Sequence, residues 1–284
     1  MSDPDKGEKP TEDRRFRTRG LLYDLARNQR ADPDHLERVV RKLAELDFNL
    51  MAINLEYRFD FPSCPGVAPL GALTPAMASA LVAFGSSLGV EIVAQPNFTG
   101  HCEGLCATER LAHLSCDPYQ QAPGGGYDQL NLEIPEAREL VRAMFSDICA
   151  AFPGRYIHIG GDEIRRLEYV FPGDGEAQVE AMQRYLTLLF ELAREHGRQV
   201  LMWGDMPLKH AKLRKALPKD LIICHWCYEP GGSRDGLETY KSEGFRVLSC
   251  PAVRTRRRVF SISTRRARRM DRSGGGGSCV CRTG

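Results

Sequence analysis

The sequence has no long hydrophobic run. Nowhere do eighteen apolar residues follow one another, and the first eighteen residues are polar and charged. A transmembrane helix needs about 20 apolar residues, and a secretory signal peptide needs an apolar segment of about 7 to 15. These two absences predict a cytoplasmic protein.

Cysteine is not concentrated in any part of the chain. Ten cysteines are scattered over 284 residues, without the dense spacing of a small secreted disulfide scaffold, so we expect reduced thiols. Cys102 and Cys106, with His101, His113 and Cys116 nearby, leave a zinc site open, and Cys224 with Cys227 leaves a redox or metal pair open. Neither group has the two paired knuckles of a structural zinc site, so we expect no metal.

A glycine-rich phosphate loop is also lacking. Residues 25–29, which follow the first strand-like segment, contain no glycine, and this argues against a dinucleotide-binding sheet. Seven strand-like segments alternate with helix-like ones, and polar or aromatic residues recur where the strands end. In a barrel these ends converge on one face. The sequence therefore predicts an α/β fold, a TIM (β/α)8-type barrel that is incomplete, with about seven βα units.

Charge is unevenly distributed along the chain. Residues 254–284 hold ten arginines, no lysine and one acidic residue, whereas residues 1–253 hold 29 basic and 36 acidic residues. Such a tail is typical of a frameshifted or misassigned gene end, of a disordered segment or of a nucleic-acid-binding arm, and we favour the first. We expect a disordered polar leader (residues 1–18), a barrel domain (19–252) and this tail (253–284).

The stretch "YIHIGGDEI" places two carboxylates, Asp162 and Glu163, directly after a buried strand. Neighbouring side chains on a strand point to opposite sides, so both can face one pocket only if the chain leaves the sheet. Gly160 and Gly161 allow such a departure and the close approach of a sugar ring. Two carboxyl groups in one enclosed pocket resist being ionised together, which suits acid catalysis of glycosidic cleavage. The alternative is an acid-rich helix N-terminus.

The same stretch resembles the His-x-Gly-Gly-Asp-Glu signature of family 20 glycoside hydrolases, the β-N-acetylhexosaminidases. "RGLLYDLAR", "NFTGH" and "LMWGD" resemble the first, third and fifth strand segments of that family. "NLEYRFDFP" and "GVEIVAQPNFTGHCEGL" most resemble the branch that includes hexosaminidase D. The resemblance covers roughly Arg17 to Cys250.

The resemblance implies a substrate-assisted, retaining hydrolysis. Glu163 would protonate the leaving oxygen, and Asp162 would orient the 2-acetamido group of the substrate, whose carbonyl attacks the anomeric carbon. Glu163 would then deprotonate the incoming water. The implied partner is a carbohydrate with a terminal β-linked N-acetylglucosamine or N-acetylgalactosamine, with no nucleic acid, membrane, metal or organic cofactor.

The polar and aromatic residues at the strand ends, together with the resemblance, indicate a set of substrate-binding residues. They are Arg19, Glu56, His101, His158, Trp203 and Trp226. Each has a structural alternative: a surface or rim ion pair for Arg19 and Glu56, a core or loop position for the histidines, and plain core packing for the tryptophans.

The resemblance ends near Val253. The seventh and eighth strands of the family bring a tyrosine, a tryptophan and two acids to the site, and the Arg-rich tail contains no tyrosine, tryptophan or glutamate. We therefore expect a truncated barrel with unpaired edges between its first and seventh strands, poorly stable and weakly active or inactive. A sugar-binding remnant without catalysis is the alternative, and nucleic-acid binding through the tail is the less favoured one.

Overall fold

A computed structural model describes residues 16–26, 29–119, 128–228, 234–251 and 279–283 of the chain. Of the expected leader and tail, residues 1–15 and 252–278 lie outside the described residues, so the proposed domain boundaries stay predictions. No helix in the described ranges is both long and apolar enough to cross a membrane.

Seven parallel strands alternate with helices, as the sequence predicts. The strands are β1 (Arg19–Asp24), β2 (Leu50–Asn54), β3 (Glu91–Gln95), β4 (Tyr156–His158), β5 (Gln199–Trp203), β6 (Ile222–Cys227) and β7 (Arg246–Pro251). The helices are α1 (Pro33–Glu45), α2 (Pro75–Ser87), α3 (Glu103–Cys106), α4 (Pro135–Ala151), α5 (Leu167–Val170), α6 (Gly175–Glu195), α7 (Asp205–Lys209), α8 (Ala211–Ala216) and α9 (Arg234–Ser242).

Side-chain caps mark the starts of α1 and α2. The carboxylate of Asp32 accepts a hydrogen bond from the backbone N–H of His35 at 3.1 Å, and Pro33 takes the first helical position. At α2, the hydroxyl of Thr74 accepts from the N–H of Met77 at 3.2 Å. These caps determine the residue at which each helix begins. The loop that precedes each helix therefore ends at its capping residue.

The strands form one sheet whose two outer strands, β3 and β4, lie next to each other. In the sheet, β3, β2 and β1 pair in parallel on one side, and β4, β5, β6 and β7 pair in parallel on the other. Between β3 and β4, the carboxylate of Glu91 accepts hydrogen bonds from the backbone N–H groups of Arg155 at 2.8 Å and Tyr156 at 3.2 Å. Residues 279–283 lie between β1 and β7 and run antiparallel to both, so the carboxyl ends of all seven parallel strands point to the same face of the barrel.

The barrel interior is filled by alternate residues of these strands. Small apolar clusters occupy it, separate from the large cluster that joins strands to helices; their buried members are Leu50, Ala52, Val93, Leu201, Trp203, Ile222, Cys224, Leu248 and Cys250. Because side chains alternate along a strand, this packing places the final inward residue of each strand at the carboxyl face.

The expectation of two unpaired edges between β1 and β7 is wrong in this structure. Residues 279–283 form β8 (Cys279–Thr283), which pairs antiparallel with β1 and with β7. The register aligns Leu21 with Val280 and Ser249 with Arg282. An edge offers backbone N–H and C=O groups to any extended segment, so residues 279–283 can occupy the position although the tail around them is rich in arginine. The strand-like "RVFSIS" lies outside the described residues.

Arg282 is paired on both sides, with Arg19 of β1 and Ser249 of β7, and this pairing predicts that Arg282→Pro destabilises the barrel. Every N–H of a strand with neighbours on both sides faces one of them, and proline has no N–H to donate. We expect the midpoint of thermal unfolding to fall by about 4 to 8 °C, which corresponds to a loss of about 2 kcal/mol in a domain of this size. Circular dichroism melting would measure it, with Arg282→Ala as the matched control. Equal melting of both variants and the wild-type chain would show that residues 279–283 do not close the barrel.

Candidate active site

The segment after β4 leaves the sheet through three residues with left-handed backbone. Gly160 has φ +72°, Gly161 has φ +85° and Glu163 has φ +48°. A Cβ at Gly160 would lie 2.3 Å from the amide oxygen of Asn97, so only glycine fits there. The two glycines thus turn the chain as the sequence predicts.

Both carboxylates of this segment reach one imidazole. The Nε2 atom of His101 lies 3.4 Å from Oδ2 of Asp162 and 3.3 Å from Oε2 of Glu163. The Nδ1 atom lies 3.6 Å from Oε1 of Glu103. Burial disfavours the charged imidazole, but the hydrogen bonds and charges of Asp162 and Glu103 outweigh it and raise the pKa of His101 to about 10. At neutral pH a buried imidazolium therefore lies between the two carboxylates.

His101 reaches this position because the loop after β3 lies directly against the loop after β4. His101 itself has φ +54°, and a Cβ on the preceding Gly100 would lie 2.4 Å from the carbonyl oxygen of Asp162. The "NFTGH" segment therefore provides both the histidine and the close approach that it needs. Asn97, which begins this segment and an apparent glycosylation sequon, is buried and donates to the amide oxygen of Asn54 at 3.3 Å.

Two further charged groups hold Glu163. The guanidinium of Arg165 forms an ion pair with its Oε1 atom. The carboxylate of Asp205 accepts a hydrogen bond from the backbone N–H of Glu163 at 3.1 Å. The same carboxylate lies 3.6 Å from the ammonium of Lys209. Burial, and next the charge of Asp162, raise the pKa of Asp205 to about 6.

The sequence reading did not single out Asp205 or Arg165. Asp205 lies two residues beyond the carboxyl end of β5, and the functional polar residues of a parallel barrel lie at these strand ends. This position could have indicated Asp205 from the sequence. Arg165 follows Glu163 by two residues in a segment outside any helix or strand, where no periodicity indicates the direction of a side chain.

His158 and Trp203 lie together under the carboxylate segment. Their rings are 4.5 Å apart, and both are buried. The Nδ1 atom of His158 accepts a hydrogen bond from the backbone N–H of Gly160 at 3.1 Å. The backbone N–H of Trp203 donates to the carbonyl of Gly160 at 2.9 Å. These residues form the floor of the site and fix the backbone from which Asp162 and Glu163 project.

Glu56 and Trp226 also lie at the carboxyl face. Glu56 follows the end of β2 by two residues, is buried, and has φ +46°. Its charge is one of several that, after burial, raise the pKa of Cys102, the neighbour of His101. Trp226, near the end of β6, is half-buried and stacks on Tyr228 with ring centroids 4.9 Å apart. Both residues therefore belong to the same face as the carboxylate pair.

The structure does not bring Arg19 to this site. Arg19 begins β1, where its guanidinium pairs with the carboxylate of Asp47 at 3.2 Å and donates to the carbonyl of Phe16 at 2.7 Å. The carboxyl end of the strand, Asp24, is five residues further on, about 17 Å away. The surface ion pair, the alternative considered from the sequence, is what the structure contains. Arg27, which follows that end by three residues, lies outside the described residues.

The cysteines do not form a ligand set among the described residues. No group of three histidine, cysteine or acidic side chains there could hold a metal ion. Burial raises the pKa of Cys116 to about 12 and raises those of Cys102 and Cys106 well above the usual value. Buried thiols of this kind stay protonated, whereas a metal ligand or a nucleophile is a thiolate.

Comparison with known proteins agrees with this geometry. A parallel barrel with paired acidic residues at its carboxyl face is typical of enzymes that cleave glycosidic bonds. The family model described as glycosyl hydrolase family 20, catalytic domain, matches residues 16–255. The chain therefore belongs to glycosyl hydrolase family 20.

Individual relatives are distant. The chain is 26% identical over 211 residues to a β-N-acetylhexosaminidase of Cellulomonas fimi, which covers 68% of this chain and 40% of that protein. It is 23% identical to the β-hexosaminidase subunit alpha of Bos taurus, over 82% of this chain and 47% of that one. The chain thus spans less than half the length of these curated relatives.

Solved structures show the same fold. The β-N-acetylhexosaminidase of Streptomyces coelicolor A3(2) superposes with a TM-score of 0.66 at 19% identity, over 84% of this chain and 48% of that one. A variant of the Streptomyces plicatus β-hexosaminidase in complex with its product, GlcNAc, gives 0.65 at 20% identity, over 82% and 47%. The predicted (β/α)-barrel class is confirmed.

Proposed function

We propose that this chain is a β-N-acetylhexosaminidase-type catalytic domain that removes terminal β-linked N-acetylglucosamine or N-acetylgalactosamine from glycans. The observation that carries the proposal is the convergence of Asp162 and Glu163 on His101 at the carboxyl face of the barrel. The family membership supports it. The assignment to the hexosaminidase D branch stays a prediction.

In the first step, the carboxyl group of Glu163 gives its proton to the glycosidic oxygen. The bond from the anomeric carbon to that oxygen breaks as the carbonyl oxygen of the substrate's 2-acetamido group forms a new bond to the same carbon. The acetamido group becomes a positively charged oxazolinium ring. The anionic carboxylate of Asp162, only 18% exposed, supplies the opposing charge from a fixed position.

In the second step, Glu163 takes a proton from a water molecule whose oxygen attacks the anomeric carbon. The oxazolinium ring opens, and the acetamido group returns to its starting form, so the stereochemistry at the anomeric carbon is retained. His101 keeps both carboxylates near the same point throughout, because its two partners lie within 3.4 Å of one nitrogen.

We assign the sugar-binding surface to the aromatic and acidic side chains around this pair. In this assignment the buried rings of Trp203 and His158 form its floor, a ring face of Trp226 stacks on the sugar, and the carboxylate of Glu56 accepts a hydrogen bond from a sugar hydroxyl. Arg19 has no part in this surface, because it lies at the opposite end of β1.

The proposal predicts an absolute need for the acetamido group. Nitrophenyl N-acetyl-β-glucosaminide and its galactosaminide counterpart should release nitrophenol, whereas nitrophenyl β-glucoside should react at least about 10³-fold more slowly in kcat/KM, because it cannot form the ring intermediate. A spectrophotometric assay of the purified chain measures all three. Comparable rates on the glucoside would contradict the substrate-assisted mechanism. Binding of N-acetylglucosamine without turnover of any substrate would favour the sugar-binding remnant.

A further inference from the structure

The loop that carries Glu163 is held from one neighbouring junction, the turn between β5 and α7. At one end of the loop, the backbone N–H of Trp203 donates to the carbonyl of Gly160 at 2.9 Å. At the other end, the carboxylate of Asp205 accepts from the N–H of Glu163 at 3.1 Å. The four residues 160–163 are thus fixed at both ends by Trp203 and Asp205, which are two positions apart in the chain.

Glu163 needs such support because its backbone is in the left-handed region. At φ +48°, any residue other than glycine is sterically disfavoured. The conformation persists only where the surrounding structure imposes it. The hydrogen bond to Asp205 is an interaction of this kind, because it satisfies the N–H in the direction that this conformation gives it.

Asp205 is itself rigidly placed. Its side chain is 9% exposed, and the preceding Gly204 accepts a hydrogen bond from the hydroxyl of Tyr240 through its carbonyl. A Cβ at Gly204 would lie 2.8 Å from the side chain of Ile223, so the turn fits closely against β6. A carboxylate on such a support can hold a neighbouring loop in one position.

We infer that Asp205 is a positioning residue for the proposed general acid: its carboxylate fixes the backbone of Glu163 and so aims the Glu163 carboxyl group at the leaving oxygen. This inference rests on the proposed function. The ammonium of Lys209, 3.6 Å from the same carboxylate oxygen, compensates its charge. The raised pKa of Asp205, caused by burial and then by Asp162, supports its place beside the catalytic pair.

The inference makes the effect of Asp205 depend on the leaving group. Protonation by Glu163 matters most for a poor leaving group such as phenol and least for an activated one such as dinitrophenol. Asp205→Ala should therefore reduce kcat/KM about 10²-fold on phenyl N-acetyl-β-glucosaminide and less than about 10-fold on the dinitrophenyl substrate. Asp205→Asn keeps an oxygen that can accept the N–H, and should lose less than about 10-fold on both.

Two controls separate positioning from general damage. Asp147→Asn alters a carboxylate that accepts a backbone N–H, that of Ser63 at 2.9 Å, in a different part of the fold, and should leave both rates within about 2-fold. In a Glu163→Gln background, Asp205→Ala should add less than about 3-fold, because the group through which it acts is already gone. If Asp205→Ala does not fold, Asp205→Ser, too short to keep the contact, replaces it.

The possible outcomes distinguish the inference from the function on which it rests. Equal losses on the phenyl and dinitrophenyl substrates, additive losses in the Glu163→Gln background, or no loss at all would overturn the role of Asp205 while leaving a working glycosidase. Absence of turnover from the folded wild-type chain on every substrate would overturn the proposed function, and the positioning role with it.

Discussion

Replacing Glu163 with glutamine should lower kcat/KM on phenyl N-acetyl-β-glucosaminide by about 10² to 10⁴-fold. Glutamine keeps the size of the side chain and its hydrogen-bonding reach but has no acidic proton to give, and a positioned general acid contributes about that factor. On the dinitrophenyl substrate the loss in kcat/KM should be smaller, since the departing phenolate needs little protonation. Steady-state rates on the two substrates measure the difference.

A matched control for Glu163→Gln is available five residues further along the chain. Glu168 is half-exposed and pairs with Arg166 at 4.0 Å, so Glu168→Gln makes the same chemical change outside the proposed catalytic pair. It should alter neither rate by more than about 2-fold. Retention of more than a tenth of the wild-type kcat/KM by Glu163→Gln on the phenyl substrate would show that this carboxyl group is not the acid.

The acidic pair could be predicted from sequence because local chemistry determines it. Two glycines at the end of an apolar strand permit backbone angles that other residues avoid, and the left-handed Gly160 and Gly161 adopt them. The caps at Asp32 and Thr74 were predictable for the same reason, since a capping side chain bonds within its own four residues.

Interactions between distant segments were not predictable in the same way. Asp205 meets Glu163 across 42 residues of sequence, and only the parallel alignment of β4 and β5 brings them together. Arg19 shows the converse error. Its similarity to the first-strand motif was clear, but a strand has two ends, and the motif alone did not show that Arg19 lies at the end away from the site.

The pairing of residues 279–283 with β1 and β7 was not predicted, for a third reason. Composition indicates whether a segment can build its own core, but a strand that completes an existing sheet needs only an extended backbone and an open edge. In this structure β1 and β7 provide two such edges, and residues 279–283 lie between them. The missing tyrosine and tryptophan of the family pattern are a separate matter, because backbone pairing cannot replace side-chain chemistry.

Asp162→Asn should also abolish most of the activity, but with a different signature from Glu163→Gln. The asparagine keeps the shape of the side chain and loses the charge that opposes the oxazolinium ring, so we expect kcat to fall by about 10² to 10³-fold, as when one preorganised group of this kind is removed. Because this charge stabilises the oxazolinium ring and does not protonate the leaving oxygen, the loss should be similar on the phenyl and dinitrophenyl substrates. A loss that shrinks on the dinitrophenyl substrate would assign Asp162 to proton transfer instead.

The same substitution should flatten the dependence of stability on pH. Asp205, with its pKa raised to about 6 from 3.8, binds a proton in the folded chain that the unfolded chain releases, so its contribution to stability declines as pH rises between those values. His101, raised to about 10 from 6.5, likewise contributes stability that is complete below 6.5 and lost as pH approaches 10. Asp162 raises both pKa values, so Asp162→Asn should weaken both declines. Urea unfolding at about pH 4, 6, 8 and 10 measures them, and an unchanged profile would show that Asp162 does not couple these two groups.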